Sequence, residues 1–151
     1  MQRILNLQVN QVIQDIPLTN ETTMSQLLGS MKDEGINSFL VGGTLRSVLM
    51  SEPISDIDIV VDCTFSELKT AMENNDVLQK SVLRVRDDQE LISWGDLDQN
   101  VVDINTLRLV SPTHSPETIE ERIFEDSLTR DFGLNALYYD FTTQEILDAH
   151  N

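Results

Sequence analysis

The sequence predicts an α+β fold, a mixed and mostly antiparallel sheet flanked by helices, and three observations carry that prediction. The first is a strand, glycine turn and helix unit: residues 36–41 form a short apolar run that leads into Gly42-Gly43, and a helical pattern continues through Met50. The second is the almost wholly β-branched run Ile57-Asp58-Ile59-Val60-Val61, followed by Thr64-Phe65-Ser66-Glu67. There Thr64 and Glu67 can satisfy each other's backbone donors, so a helix starts at this capping box. The third is a group of strand candidates at 79–85, 90–94 and 100–105, separated by the turn-like Arg86-Asp87-Asp88 and Gly95-Asp96-Leu97-Asp98. These read as an antiparallel meander.

The remaining elements follow in order. Residues 4–16 carry apolar side chains at a mixed period that fits either a strand or an extended lead-in. From Thr19-Asn20 the spacing of Met24, Leu27, Leu28 and Met31 predicts a helix, with Gly35 placed as its C-cap glycine. A turn is expected at Ser51-Glu52-Pro53, and the helix begun at Thr64 is expected to end near Asn74-Asn75. Pro112 and Pro116 bracket a loop, helix returns from Glu117, and residues 137–141 with 145–147 form a closing hairpin over Thr142-Thr143. With 151 residues and no internal repeat or linker, one domain spanning 1–151 is expected.

Composition narrows the class. Hydrophobic residues make up 40%, as in a globular protein, and there is no apolar run of about 18 residues that could cross a bilayer. The N-terminus lacks the apolar core of a secretory signal, so a cytoplasmic address without membrane contact is expected. The single cysteine, Cys63, excludes an internal disulfide or a cysteine-cluster zinc site and is assigned to packing. Ten Lys and Arg against 26 Asp and Glu give a net charge of −16, which opposes tight unaided binding of a polyanion unless the basic residues gather on one face. His114 and His150 lack neighbours that would recommend a catalytic base, and Trp94 is assigned to the core or to a partner contact.

Chemistry concentrates in three places. In Gly42-Gly43-Thr44-Leu45-Arg46, two glycines at a strand-to-helix turn let backbone approach an anion, helix amides point at it, and Arg46 adds a charge. Those are the needs of a triphosphate. In Asp56-Ile57-Asp58, positions i and i+2 of a strand send both carboxylates to one face, a hard-oxygen pair suited to Mg²⁺. Asp103, in a second apolar strand, completes the cluster if that strand pairs beside the first, and is otherwise an edge-strand aspartate. In Arg130-Asp131-Phe132-Gly133-Leu134-Asn135, the arginine could bind phosphate, Asp131 could fix that arginine or a ribose, and Asn135 could reach a sugar hydroxyl or cap backbone.

Taken in order, Phe39-Leu40-Val41-Gly42-Gly43-Thr44-Leu45-Arg46, Asp56-Ile57-Asp58-Ile59, and Glu125-Asp126 leading into Arg130-Asp131-Phe132-Gly133-Leu134-Asn135-Ala136-Leu137 resemble the head-domain motifs of the tRNA CCA-adding enzyme and bacterial poly(A) polymerase family. The closing Ile146-Leu147-Asp148 also fits, so the resemblance spans roughly residues 36–148. It implies a DNA polymerase β-like nucleotidyltransferase fold and Mg²⁺-dependent transfer of a nucleotide from ATP, or CTP, to an RNA 3′ hydroxyl, with tRNA as the expected acceptor. It makes Asp56 and Asp58 the metal ligands, with Asp103 a third catalytic carboxylate. Gly42, Gly43 and Arg46 become the triphosphate cradle, and Arg130, Asp131 and Asn135 further nucleotide contacts.

The sequence departs from the family pattern at Ser47, where an aspartate is usual after the arginine, and around Ser51-Glu52, where a glycine is usual. The neck that selects the base and the body and tail that grip tRNA are not expected within these residues. Three readings follow: a minimal transferase, a nucleotide-binding or inactive head completed by a partner subunit supplying neck and body, and a head that transfers a nucleotide to a protein.

Overall fold

The structure, a computed structural model, describes residues 1–109, 116–130 and 136–150. Its centre is β3, Ile57–Val61, whose alternation is carried by Ile57, Ile59 and Val61 toward one face and Asp58 and Val60 toward the other. Antiparallel to β3 on one side runs β2, Ser38–Val41, followed by the hairpin of β7, Leu137–Asp140, and β8, Glu145–Asp148. At that edge β8 pairs with β1, Gln2–Leu5. On its other side β3 pairs in parallel with β6, Val101–Thr106, which continues antiparallel into β5, Leu91–Gly95, and β4, Val82–Arg86. The strand order is β1-β8-β7-β2-β3-β6-β5-β4. The expected mixed, mostly antiparallel sheet and its meander are therefore present.

Helices cover the two faces unequally. One face carries α1, Leu7–Ile13, α2, Met24–Asp33, α3, Gly42–Leu49, α4, Phe65–Asn74, and the short α5, Asp76–Gln79. Their Val9, Ile13, Leu27, Met31, Leu45, Leu68 and Leu78 pack with Leu40, Ile59, Trp94 and Ile104 of the sheet in one core. Trp94 is fully buried and donates its Nε1–H to the Leu78 carbonyl at 2.6 Å, so it is a core residue. The opposite face is covered by α6, Ile119–Ser127, through Ile123 against Phe39, Val60, Tyr138 and Leu147. Arg122 ties α6 to the end of β3 with a bidentate pair to Asp62, at 2.7 and 2.8 Å.

Capping explains several boundaries. The Thr64 and Glu67 box opens α4 as expected, and two further boxes, Thr23 with Gln26 and Thr118 with Glu121, open α2 and α6. The helix expected from residue 19 therefore starts later, because residues 18–22 form a turn closed by the Pro17–Thr23 bridge. Gly35 adopts φ +75 just past α2, as its C-terminal position requires. Residues 4–16 divide into β1 and α1, with Asn6 capping the helix through Gln8 and Val9 N–H. The strand expected from residue 79 begins at Val82, since Asn75 caps α5 across 76–79. Cys63 is half-buried against the core, its thiol pushed up to about 12 by burial and then by Glu67 and Asp62. Among the described residues no helix is long and apolar enough to cross a membrane.

Two glycines make opposite predictions. Gly95 has φ +131, and a Cβ there would run into the Asn100 carbonyl, whereas a Cβ at Gly29 inside α2 meets nothing within 4 Å. Gly95→Ala is expected to cost about 2 kcal/mol or more, and Gly29→Ala to add up to about 1 kcal/mol, both read from urea unfolding midpoints.

Candidate nucleotidyl-transfer site

The site lies on the less covered face, where β3 and β6 run side by side. Their register sets Asp58 directly opposite Asp103, and β5 continues the row by setting Ser93 opposite Asp103. Ser93 donates its hydroxyl to Asp103 Oδ1 at 2.7 Å, which fixes that carboxylate and leaves Oδ2 without a partner among the described residues. Asp56 stands one residue before β3 and is exposed. Burial, then the Asp103 and Asp56 carboxylates, push Asp58 above the ordinary carboxylate range, while Arg130 opposes them. The strand of Asp103 does pair beside β3, as its place in the cluster required, whereas Asp56, expected to share the strand face with Asp58, stands just outside the strand.

A hydroxyl joins the glycine turn to this row. Thr44, 2% exposed in the first turn of α3, donates to the Asp56 carbonyl at 2.6 Å and accepts the Asp58 N–H at 3.0 Å. The backbone on either side of Ile57 is therefore held to α3 by one side chain. Gly42 adopts φ +64, a conformation costly to a residue with a Cβ, and a Cβ at Gly43 would enter open space. Val41, the N-cap of α3, offers no side-chain acceptor, so the first-turn amides have no side-chain cap. Arg46 is exposed on α3 and has no ion-pair partner among the described residues.

Arg130 is held from behind. The fully buried Asp126 accepts Arg130 Nε–H at 2.8 Å and the Tyr138 hydroxyl at 2.6 Å on Oδ2, and the Arg108 N–H at 2.7 Å on Oδ1. Burial alone would lower the pKa of the Arg130 guanidinium, but Asp126 and Tyr138 outweigh it and the net shift is upward. Tyr138 is likewise pushed up, by burial first and then by Asp126. Arg130 is thus held through Nε by Asp126 and through its guanidinium plane over the Tyr138 ring, 5.7 Å from its centroid, and from there its charge acts on Asp58. Asp131 and Asn135 lie outside the described residues, as does His114; His150 is exposed, its ring edge-on to Phe124 at 6.0 Å.

Over residues 38–151 the chain matches the family of the poly A polymerase head domain. The chain belongs to that family. This head domain is 26% identical over 127 residues to a CCA-adding enzyme of Streptococcus uberis, covering 82% of the chain and 30% of that enzyme. A CCA-adding enzyme of Enterococcus faecalis is 28% identical over 118 residues, covering 76% and 27%. The chain thus spans about three-tenths of the length of the curated relatives it matches. Among solved structures, a CCA-adding enzyme with CTP superposes with TM-score 0.62 at 25% identity, over 81% of this chain and 28% of that one. A CCA-adding enzyme with ATP superposes with TM-score 0.68 at 20% identity, over 98% and 34%, a likeness of fold. The nucleotidyltransferase head fold expected from the motifs is the one observed.

Sequence reasoning passed over four side chains of this head domain that shape the row: Thr44, Ser93, Asp126 and Tyr138. Thr44 and Asp126 stand inside the motifs quoted above, but a short polar residue in a motif signals a joint only once its burial is known. Ser93 becomes visible only through strand register.

Among the described residues no three His, Cys, Asp or Glu side chains gather closely enough to make a metal cage. The Asp58–Asp103 pair is instead two like charges held side by side. Because the folded state raises the Asp58 pKa, it binds more protons than the unfolded chain between the ordinary carboxylate value and the raised one. Stability falls as pH rises through that window. Asp58→Asn is expected to raise the melting temperature of the metal-free protein by about 1–3 °C at pH 7, and the gain should vanish below about pH 4. An unchanged or lowered melting temperature at pH 7 would show that the pair carries no such penalty.

Proposed function

We propose that the chain acts as one head domain of a magnesium-dependent nucleotidyltransferase in the cytoplasm, joining a nucleotide from ATP or CTP to the 3′ hydroxyl of an RNA, in the manner of tRNA CCA addition or poly(A) synthesis. The observation that carries the reading is the in-register pair Asp58 and Asp103 on the less covered sheet face, tied by Thr44 to an uncapped glycine turn. The family and the solved relatives, described as complexes with CTP and with ATP, support it.

The donor set fits magnesium: Asp56 and Asp58 offer hard carboxylate oxygens, and an open face leaves positions for water and substrate phosphate. When bound, the ion supplies positive charge that favours ionisation of the attacking hydroxyl and stabilises the leaving pyrophosphate. The chain's own groups do the rest. The amides after Gly42 and Gly43, with Arg46, hold the triphosphate; the Arg130 guanidinium adds a second cation beside Asp58; Asp131 and Asn135 are further nucleotide contacts. Asp103, fixed by Ser93, concentrates negative charge next to Asp58 and thereby strengthens cation binding. The acceptor oxygen bonds to the α-phosphorus as the bond to the bridging oxygen breaks, and pyrophosphate leaves.

A second reading, a nucleotide-binding subunit that turns over only with a partner chain, is favoured by the net charge of −16, which leaves little to grip a polyanion. The test separates them. The purified chain is incubated with Mg²⁺, each labelled nucleoside triphosphate and small RNAs lacking their 3′ end, beside an Asp56→Ala, Asp58→Ala double variant. RNA labelling by the wild type and a loss of at least about 10³-fold in the variant are expected. Metal-dependent triphosphate binding without labelling would favour the subunit, and labelling of protein instead of RNA would overturn the acceptor.

A further inference from the structure

The edge strand β4 carries a feature that the site described so far does not use. Its register against β5 shifts between Val82, opposite Trp94, and Arg84, opposite Ser93. Val82 packs on the core beneath the sheet with Trp94, so regular alternation would send Arg84 to that same face. The bulge adds one residue and reverses the phase. Arg84 and Arg86 consequently stand opposite Ser93 and Leu91, on the face that carries Asp103 and Asp58. Bulges at sheet edges re-aim side chains in this way, and each departs from a regular ladder that would otherwise be favoured.

The surrounding charges sharpen the arrangement. Among the described residues neither arginine is in an ion pair; Arg84 is exposed, and Arg86 makes a long contact of 3.5 Å to Gln89. The nearby carboxylates are drawn to the other face: Asp87 pairs with Lys69 of α4 at 2.6 Å, and Glu90 accepts the hydroxyl of the buried Thr106 at 2.9 Å. Asp88 remains exposed in the turn between the strands. In a chain with ten basic residues and 26 acidic ones, two unpaired arginines on one sheet face are a local exception.

We infer that Arg84 and Arg86 form the landing strip for the acceptor, binding backbone phosphates of a single RNA strand whose 3′ end reaches Asp58 and Asp103. The inference rests on the nucleotidyltransferase reading of the carboxylate row. Strands lie about 4.8 Å apart, so β4 is about 10 Å from β6 and about 14 Å from β3. The triphosphate groups, the glycine turn and Arg130, lie on the opposite flank of β3, by β2 and β7. In-line displacement puts attacking and leaving oxygens on opposite sides of phosphorus. An acceptor entering from β4 and a pyrophosphate leaving toward β2 satisfy that demand, with cations on both flanks of the carboxylates.

The experiment measures equilibrium binding of a fluorescein-labelled single-stranded oligoribonucleotide with a free 3′ hydroxyl, by anisotropy across a salt series and without triphosphate. Wild type, the Arg84→Gln, Arg86→Gln double variant, the Arg84→Lys, Arg86→Lys double variant and a Lys80→Gln control are compared. The Gln double variant is expected to bind roughly tenfold more weakly at low salt, with the slope of log K against log salt reduced by about 1.4 for two lost phosphate contacts. The Lys pair should retain most of the binding, and Lys80→Gln should match wild type. Melting temperature and Mg²⁺-dependent ATP binding, both expected unchanged in the Gln variant, separate lost contacts from lost fold. Equal affinity and slope in wild type and the Gln variant, or no salt-dependent RNA binding by wild type, would overturn the inference. Weakened binding in the Gln variant together with no nucleotide transfer by wild type would leave this surface standing and remove the transferase reading.

Discussion

The parallel pairing of β3 with β6 is the constraint around which the rest of the fold is arranged. It is the one parallel pair among the described strands, and parallel neighbours cannot be joined by a tight hairpin. The chain between them must cross over, and residues 62–100 spend that crossover on α4 and α5, which cover one face, and on β4 and β5, which extend the sheet beyond β6. The same register then decides chemistry. Asp58 meets Asp103 because Ile57 meets Val102 and Ile59 meets Ile104 in the core below, so apolar packing enforces a like-charge pair that electrostatics alone would separate. Sites of this kind lower the stability of the fold that carries them.

Two buried polar joints make the arrangement rigid. Thr44 holds the entry to β3 against α3 through one donor and one acceptor interaction, so the glycine turn and the Asp56–Asp58 segment cannot move independently. Asp126 gathers the exit of β6, the end of α6 and β7 on two carboxylate oxygens, with Arg130 as the charge that balances it. A buried carboxylate with three donors, one of them the paired cation, is well satisfied, and loss of any one donor would leave charge in a poorly solvated place. Both joints lie behind the row of proposed site residues. Their contribution is to fix orientation, which a surface of mobile side chains could not do.

Much of this was legible in the sequence, and what was not has physical reasons. The run Ile57–Val61 was read with its observed bounds because β-branched residues fit one backbone state well, and Thr64 with Glu67 marked a helix start because reciprocal capping has a fixed spacing. The lead-in at 4–16 was ambiguous because Ile4 and Leu5 belong to a strand while Val9 and Ile13 sit at helical spacing, so the average period describes neither. Pairing across the sheet cannot be read from local pattern: that Asp103 stands opposite Asp58, that Ser93 reaches it, and that β1 closes the edge of the hairpin are long-range facts. The bulge in β4 is harder still. Residues 82–86 alternate apolar and basic side chains well enough to suggest one regular strand, and only the shift from Trp94 to Ser93 shows that Val82 and Arg84 face opposite ways.

That shift bears on how so acidic a chain could handle two polyanions. A net charge of −16 spread evenly would repel both triphosphate and RNA, so what matters is how the charge is distributed over the sheet and its edges. There the fold removes acids more than it adds bases. Asp126 is buried and neutralised by Arg130, Asp87 and Glu90 are turned through the sheet to Lys69 and Thr106, and Asp62 is closed by Arg122. The unpaired arginines left near the row, Arg84 and Arg86 on one flank and Arg46 on α3 on the other, then act against a locally lowered negative background. Local pairing of carboxylates, more than an excess of cations, is what makes the proposed nucleotidyl-transfer site compatible with this composition.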